Sequence, residues 1–303
     1  MKKFIITVDT EGDNLWEWTP GNVITNENAK YIEIFQELCE KYAFKPVYLV
    51  NYEMAQSDIL VDLLREKNKR GLCEIGMHLH AWNTPPEYEI LNKYNGCPYI
   101  TEYPEEVIRA KHLFLRDYIE QRFGVKPVSY RSGRWATNET LFKILNELGF
   151  LVDCSITPGI AYESNAGMSV KCGNNYRDES HEVKRICDNL FEIPMTTCFG
   201  KNIHGRNIKN RLSHLIKGEQ LWLRPAMNTY KEMIRLVDVI QKKGIDYLEF
   251  MIHSSELMQG GSPYSKDERA TQQLFERIEK FFEYISNEYE GITLSEYYER
   301  YLK

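Results

Sequence analysis

The sequence predicts one α/β domain, a mostly parallel sheet flanked by helices. Three observations carry this. Short apolar runs alternate with segments of helical periodicity along the whole chain, the pattern of repeated βα units. Polar residues able to do chemistry gather at the C-terminal ends of those runs: Asp9 and Glu11, His78 and His80, Arg131, Asp153, and His253. In closed α/β barrels that face carries the active site. No internal repeat, low-complexity tract or linker divides the chain. Residues 1–303 therefore read as a single domain with an irregular polar insertion near 160–185.

Residues 3–8 form the first strand, which runs into Asp9-Thr10-Glu11-Gly12-Asp13. Carboxylates crowded at a strand end repel each other, and a bound cation would offset that; a solvated acidic loop is the bland alternative. Trp16 and Trp18 follow in a loop suited to cover either a pocket or the core. Asn28 is placed to cap a helix over 28–42, with Ile32, Phe35, Leu38, Cys39 and Tyr42 on one face. Residues 46–51 read as the second strand. Ser57 or Asp58 caps a helix to 69, closed by Gly71.

The third strand, 72–80, ends in Gly76-Met77-His78-Leu79-His80. Side chains two apart on a strand share a face, so both imidazoles can reach one ion. The alternative is one buried and one surface histidine. A long irregular loop spans 83–103, and Pro104 opens a helix to 123, stopped by Gly124. Residues 126–131 form a fourth strand. Asn138 caps a helix to 148 before the stop at Gly149. Strands follow at 150–155 and 190–196, a helix at 207–216 and a short strand at 220–224. A helix over 229–243 stops at Gly244. The last strand, 247–252, leads into His253-Ser254-Ser255-Glu256, and amphipathic helices cover 267–287 and 294–302.

Composition excludes some classes. At 43% hydrophobic and 27% charged the chain is ordinarily globular, and a net charge of −6 offers no basic face for nucleic acid. No apolar run reaches membrane-spanning length, and the run before Asp9 is too short for a secretory signal. The seven cysteines show no C-x-x-C pairing, which suits a reducing cytoplasm rather than a disulfide framework.

Five stretches, taken in order, resemble the motifs of carbohydrate esterase family 4, the NodB-homology polysaccharide deacetylases. They are Thr7-Val8-Asp9-Thr10-Glu11, Gly76-Met77-His78-Leu79-His80, Tyr130-Arg131-Ser132-Gly133, Asp153-Cys154-Ser155-Ile156-Thr157-Pro158 and Ile252-His253. The D-x-E and H-x-H forms are most similar to the branch found among lipopolysaccharide and capsule biosynthesis proteins. The resemblance implies a distorted (β/α) barrel of about seven parallel strands. It also implies a divalent ion, with zinc the first expectation, held by His78, His80 and either Glu11 or Asp9. Thr10 stands where the family has a second aspartate, and Trp82 stands where it has the second histidine, so the ligand set stays open.

For removal of an N-acetyl group the resemblance implies Asp9 as general base, held by Arg131, and His253 as acid, supported by Asp153. Such an ion would acidify water and polarise the acyl carbonyl. Trp82, Tyr130 and Trp135 are candidates to contact the sugar, or to pack the wall. His112, His181, His204 and His214 lack motif context and read as surface or structural. The expected partner is an N-acetylated carbohydrate, soluble or lipid-linked, met in the cytoplasm. Two other classes stay open: a carbohydrate-binding relative without turnover, and a hydrolase of a non-sugar C–N bond.

Overall fold

The computed structural model describes all residues except 18, 20, 89–96, 164, 166, 169–172 and 201–218. The expected helix at 207–216, with His204, His214 and Trp18, lies outside the described residues. The main sheet contains β1 (Lys2–Thr10), β2 (Pro46–Val50), β3 (Glu74–Leu79), β4 (Ser129–Ser132), β5 (Val152–Asp153), β6 (Lys184–Arg185) and β7 (Phe191–Glu192). A separate antiparallel pair, β8 (Thr197–Gly200) and β9 (Glu219–Trp222), follows, and β10 (Tyr247–His253) and β11 (Tyr289–Gly291) complete the main sheet. Its order is β10-β1-β2-β3-β4-β5-β7-β6, with β11 on the start of β1. Every ladder is parallel except β6 on β7.

The sheet curls. Between β7 and β10 the chain bridges through Leu223, whose N–H donates to Thr196 O and whose carbonyl accepts from Met251 N, both at 3.0 Å. Helices α1 (Ile32–Lys41), α2 (Asp58–Lys69), α3 (Glu105–Phe123), α4 (Glu139–Glu147), α5 (Tyr230–Lys242), α6 (Glu268–Ile285) and α7 (Leu294–Tyr301) accompany it. No helix among the described residues is long and apolar enough to cross a membrane.

Strand period sorts the core into two layers. Phe4, Ile6, Val8, Tyr48, Val50, Met77 and Tyr130 pack outward in a large cluster with the helices. Ile5, Val47, Leu49, Val152, Ile193 and Tyr247 meet on the opposite, concave face, closed by Leu294, Tyr297 and Tyr298 of α7. Burial on both faces explains why the strands read as continuous apolar runs. Further along the same concave parity the residues turn polar: Thr7 and Asp9, His78, Arg131, Glu249 and His253. The apolar half closes one end of the curl, and the chemistry sits at the strand C-termini.

Several expected elements differ. β1 runs through Asp9 to Thr10, because β10 and β2 pair with it on both sides to that depth. The strand expected at 190–196 is shortened to Phe191–Glu192, which joins the main sheet; β8 starts only at Thr197 and pairs with β9, so the strand expected at 220–224 is not a member of that sheet. Asn28 caps nothing. It lies fully buried in a 3-10 turn ahead of α1, and its amide serves the site instead.

Candidate metal and catalytic centre

The centre is built from three strand ends. His78 lies on β3 and His80 just past its end, and their Nε2 atoms stand 3.1 Å apart. Glu11, just beyond β1, places Oε2 at 2.7 Å from His80 Nε2 and 3.5 Å from His78 Nε2. His78 Nδ1 lies 3.0 Å from the Arg131 carbonyl, which leaves Nε2 facing the cluster. Three donor atoms so converge that one ion would satisfy them together. Tetrahedral ligands at about 2.0–2.2 Å stand roughly 3.3–3.5 Å from each other, close to this spacing. The two imidazoles and one carboxylate match a divalent, zinc-like ion in chemistry as well.

The backbone of Glu11 is clamped. Asn28 Nδ2 donates to its carbonyl at 2.8 Å, and Ser254 Oγ accepts from its N–H at 3.1 Å. Gly133 lets His80 take its place: a Cβ there would stand 2.6 Å from Leu79 O and 2.7 Å from His80 Nδ1. Asp13, the third acid of the turn, is not in the cluster. It accepts from Thr25 Oγ1 and, at 3.2 Å, from Asn28 N, and so pins the loop.

Asp9 sits beside this cluster with a different partner. Arg131, fully buried on β4, gives Nη1 to Asp9 Oδ1 at 2.5 Å. Nη2 serves Glu249 and Thr7 Oγ1, and Nε serves Cys154 O at 3.1 Å. Burial would raise the Asp9 carboxyl, but Arg131, His78 and His253 outweigh it and hold it below the usual carboxylate range. Glu11 is likewise buried, yet His253 and the hydrogen bonds from His78 and His80 hold it well below that range. Both acids are therefore ionised. Glu249 receives less help, and burial pushes it up to about 7.

His253 ends β10 in register with Asp9. Its Nε2 lies 3.3 Å from Glu11 Oε1 and 3.9 Å from Asp9 Oδ2, and its Nδ1 lies 3.5 Å from Glu256 Oε1. Glu256 also accepts from His253 N at 3.2 Å and is held by Arg224. Sequence reasoning missed Glu249 and Glu256. The first hides inside an apolar strand; the second shows only as an acid three residues after His253.

Three expected site residues stand elsewhere. Asp153 was expected to support His253, but it is in register with Tyr130 on one side and Glu192 on the other. That parity turns it to the opposite face of the sheet from Arg131. There it accepts from Ser155 Oγ at 2.6 Å and faces Glu192, and burial pushes both carboxyls up. Tyr130 is fully buried with its hydroxyl 2.9 Å from His112 Nε2, out of reach of a sugar. His112 is a core residue, pushed down to about 4 by burial. Trp135 lies over the Arg131 guanidinium, 5.0 Å away, and against Trp222.

A cavity of about 390 Å³ opens over Glu11, His80 and His253, walled by Leu15, Trp16 and Trp82. Trp82 lies with its ring 4.5 Å from that of His80. Trp16 donates from Nε1 to Ser255 Oγ at 3.0 Å and stands edge-on to His253, centroids 5.1 Å apart.

No protein-family model matches the chain, and no curated protein matches it closely. Its fold is shared with solved structures of low identity. A Mycobacterium smegmatis protein assigned as a polysaccharide deacetylase superposes with a TM-score of 0.52 at 15% identity, over 96% of this chain and 86% of that one. A GH57-type branching enzyme of Pyrococcus horikoshii gives 0.59 at 8% identity, over 100% and 71%. A 4-alpha-glucanotransferase of Thermococcus litoralis gives 0.58 at 14% identity, over 100% and 41%.

Proposed function

We propose that this chain is a metal-dependent hydrolase that removes an N-acetyl or similar acyl group from an amino sugar of a cell-surface polysaccharide or its precursor. The observation that supports it most is the convergence of Glu11 Oε2 with the Nε2 atoms of His78 and His80, beneath an aromatic-walled cavity. In this reading His78, His80 and Glu11 hold a divalent ion, zinc first. The ion supplies a Lewis acid for water and the acyl carbonyl. Asp9 takes the proton of the attacking water as general base, kept ionised and aimed by Arg131. His253, across the cavity, donates a proton to the departing amine, and Glu256 orients its ring. Trp16 and Trp82 offer faces for the sugar, since pyranose C–H groups pack on aromatic rings. The resemblance to the lipopolysaccharide and capsule branch of the family suggests a substrate met as a soluble or lipid-linked precursor. The seven cysteines, without a C-x-x-C pairing, motivate the choice of a reducing compartment.

Glycosyl transfer, suggested by two of the fold neighbours, fits the site less well. It asks for two carboxylates flanking the scissile bond, about 5–5.5 Å apart in the retaining case. Here Glu11 is engaged by two imidazoles and Asp9 by a buried guanidinium. The test is acyl release from a panel of N-acylated sugars by zinc-loaded and chelated protein. Release that follows metal content supports the reading. Sugar binding without release would favour the carbohydrate-binding class, and release only from non-sugar amides would favour the other hydrolase class.

A further inference from the structure

We infer that the sugar accepted by this cavity carries an anionic oxygen group, a carboxylate or a phosphate, and that Arg134 reads it. The inference rests on the deacylation reading above and adds a substrate class to it. Arg134 lines the same cavity as His80 and His253, and it is the one arginine or lysine among the described lining residues. The one carboxylate there, Glu11, is taken up by the two histidines. Among the described lining residues an entering anion therefore meets a guanidinium and no uncommitted carboxylate. The chain as a whole carries a net charge of −6, so a guanidinium in this lining is a local feature.

The backbone places the side chain at a cost. Arg134 has φ 59° and ψ 21°, and Trp135 follows with φ 61°. Two successive residues with a Cβ thus occupy the left-handed region that favours glycine. Strain of this kind persists where the surroundings over-determine it, and it clusters at ligand sites. The surroundings are visible here. Tyr176 Oη donates to Trp135 O at 2.6 Å, and the Trp135 ring lies over Arg131. The Arg134 guanidinium donates to Cys97 O and lies 3.9 Å from the Tyr99 ring centroid. One short turn thus joins Arg131, which holds the base, to Arg134, and fixes the second fork before substrate arrives. A planar fork suits carboxylate and phosphate better than it suits a neutral hydroxyl.

The experiment compares zinc-loaded wild type, Arg134→Gln and Arg134→Lys by calorimetric binding and by acyl release. The probes are N-acetylglucosamine, its phosphate ester, and an N-acetylated amino uronic acid. Metal content and circular dichroism are checked for each protein. Wild type should bind one anionic probe at least about 10-fold more tightly than the neutral one. Arg134→Gln should erode that preference about 10- to 100-fold, the size of a lost charge-assisted hydrogen bond. Arg134→Lys should keep a fraction of it, and the probe preferred shows which anion is read. A wild type without anion preference overturns the inference, as does a preference that survives in Arg134→Gln. Equal weakening for neutral and anionic probes also overturns it, by making Arg134 a structural brace. Acyl release without anion preference sinks this inference alone; Arg134-dependent anion preference without acyl release from any probe sinks the hydrolase reading alone.

Discussion

Asp9 lies near the end of β1 and Glu11 just beyond it, and exchanging each for its amide separates their roles. Glu11 Oε2 faces both imidazoles, whereas Asp9 Oδ1 faces Arg131. Tetrahedral zinc sites bind with about 10–16 kcal/mol, or roughly 3 kcal/mol per ligand if shared among four. Glu11→Gln should therefore weaken metal binding by about 10²-fold. Asp9→Asn removes one of two acids from a buried guanidinium. Breaking a buried pair outright costs about 3–5 kcal/mol. Here Glu249, Thr7 Oγ1 and Cys154 O still satisfy Arg131, so the loss should lie at or below the low end of that range. Turnover should fall about 10²–10⁴-fold through loss of the base, with metal affinity within a few-fold of wild type. The assay is zinc stoichiometry by mass spectrometry after dialysis against graded chelator, with acetate release and chemical denaturation measured on the same samples. An Asp9→Asn protein that loses its zinc while Glu11→Gln keeps it would refute the reasoning.

Other outcomes follow from the same geometry. His253→Ala should lower kcat about 10²–10⁴-fold with zinc retained; near-normal turnover or loss of metal would count against it. Asp153→Asn should leave the pH–rate profile in place, because Asp153 faces Glu192 rather than His253; a displaced basic limb in kinetics from pH 5 to 10 would contradict this. Gly133→Ala should weaken zinc binding and lower stability as well, since the new Cβ falls on His80 and on the backbone oxygen of Leu79; chelator titration and denaturant unfolding read the two effects, and unchanged zinc affinity would exclude the contact with His80. Burial raises the Glu53 carboxyl from 4.5 to about 8. The folded state then holds a proton that the unfolded state releases, so its contribution is complete below pH 4.5 and is lost as pH rises to about 8. Glu53→Gln should match wild type near pH 4 and exceed it by ~3–5 kcal/mol at pH 9 in denaturant unfolding; a constant difference across that range would show that Glu53 does not titrate there.

The order of strands and helices was legible because hydrophobic period is a local property: two residues in a strand, 3.6 in a helix. The same locality put His78 and His80, two apart, on one face, and set Asp9 and Glu11 together at a strand end. Locality also set the limit. Asp9 and Glu11 have identical parity, and only the position of β1 between β10 and β2, with Arg131 reaching across from β4, assigns one to the guanidinium and the other to the imidazoles. Asp153 belonged in the expected motif order, yet its register with Tyr130 turns it to the outer face. Asn28 looked like a helix cap, and the fold uses its amide to clamp Glu11 and Ser254. Glu249 was indistinguishable from its apolar neighbours until Arg131 came beside it from 118 residues away. A charge can be buried only where a partner meets it, and for these residues the partner arrives from a distant strand, so tertiary structure alone could reveal it.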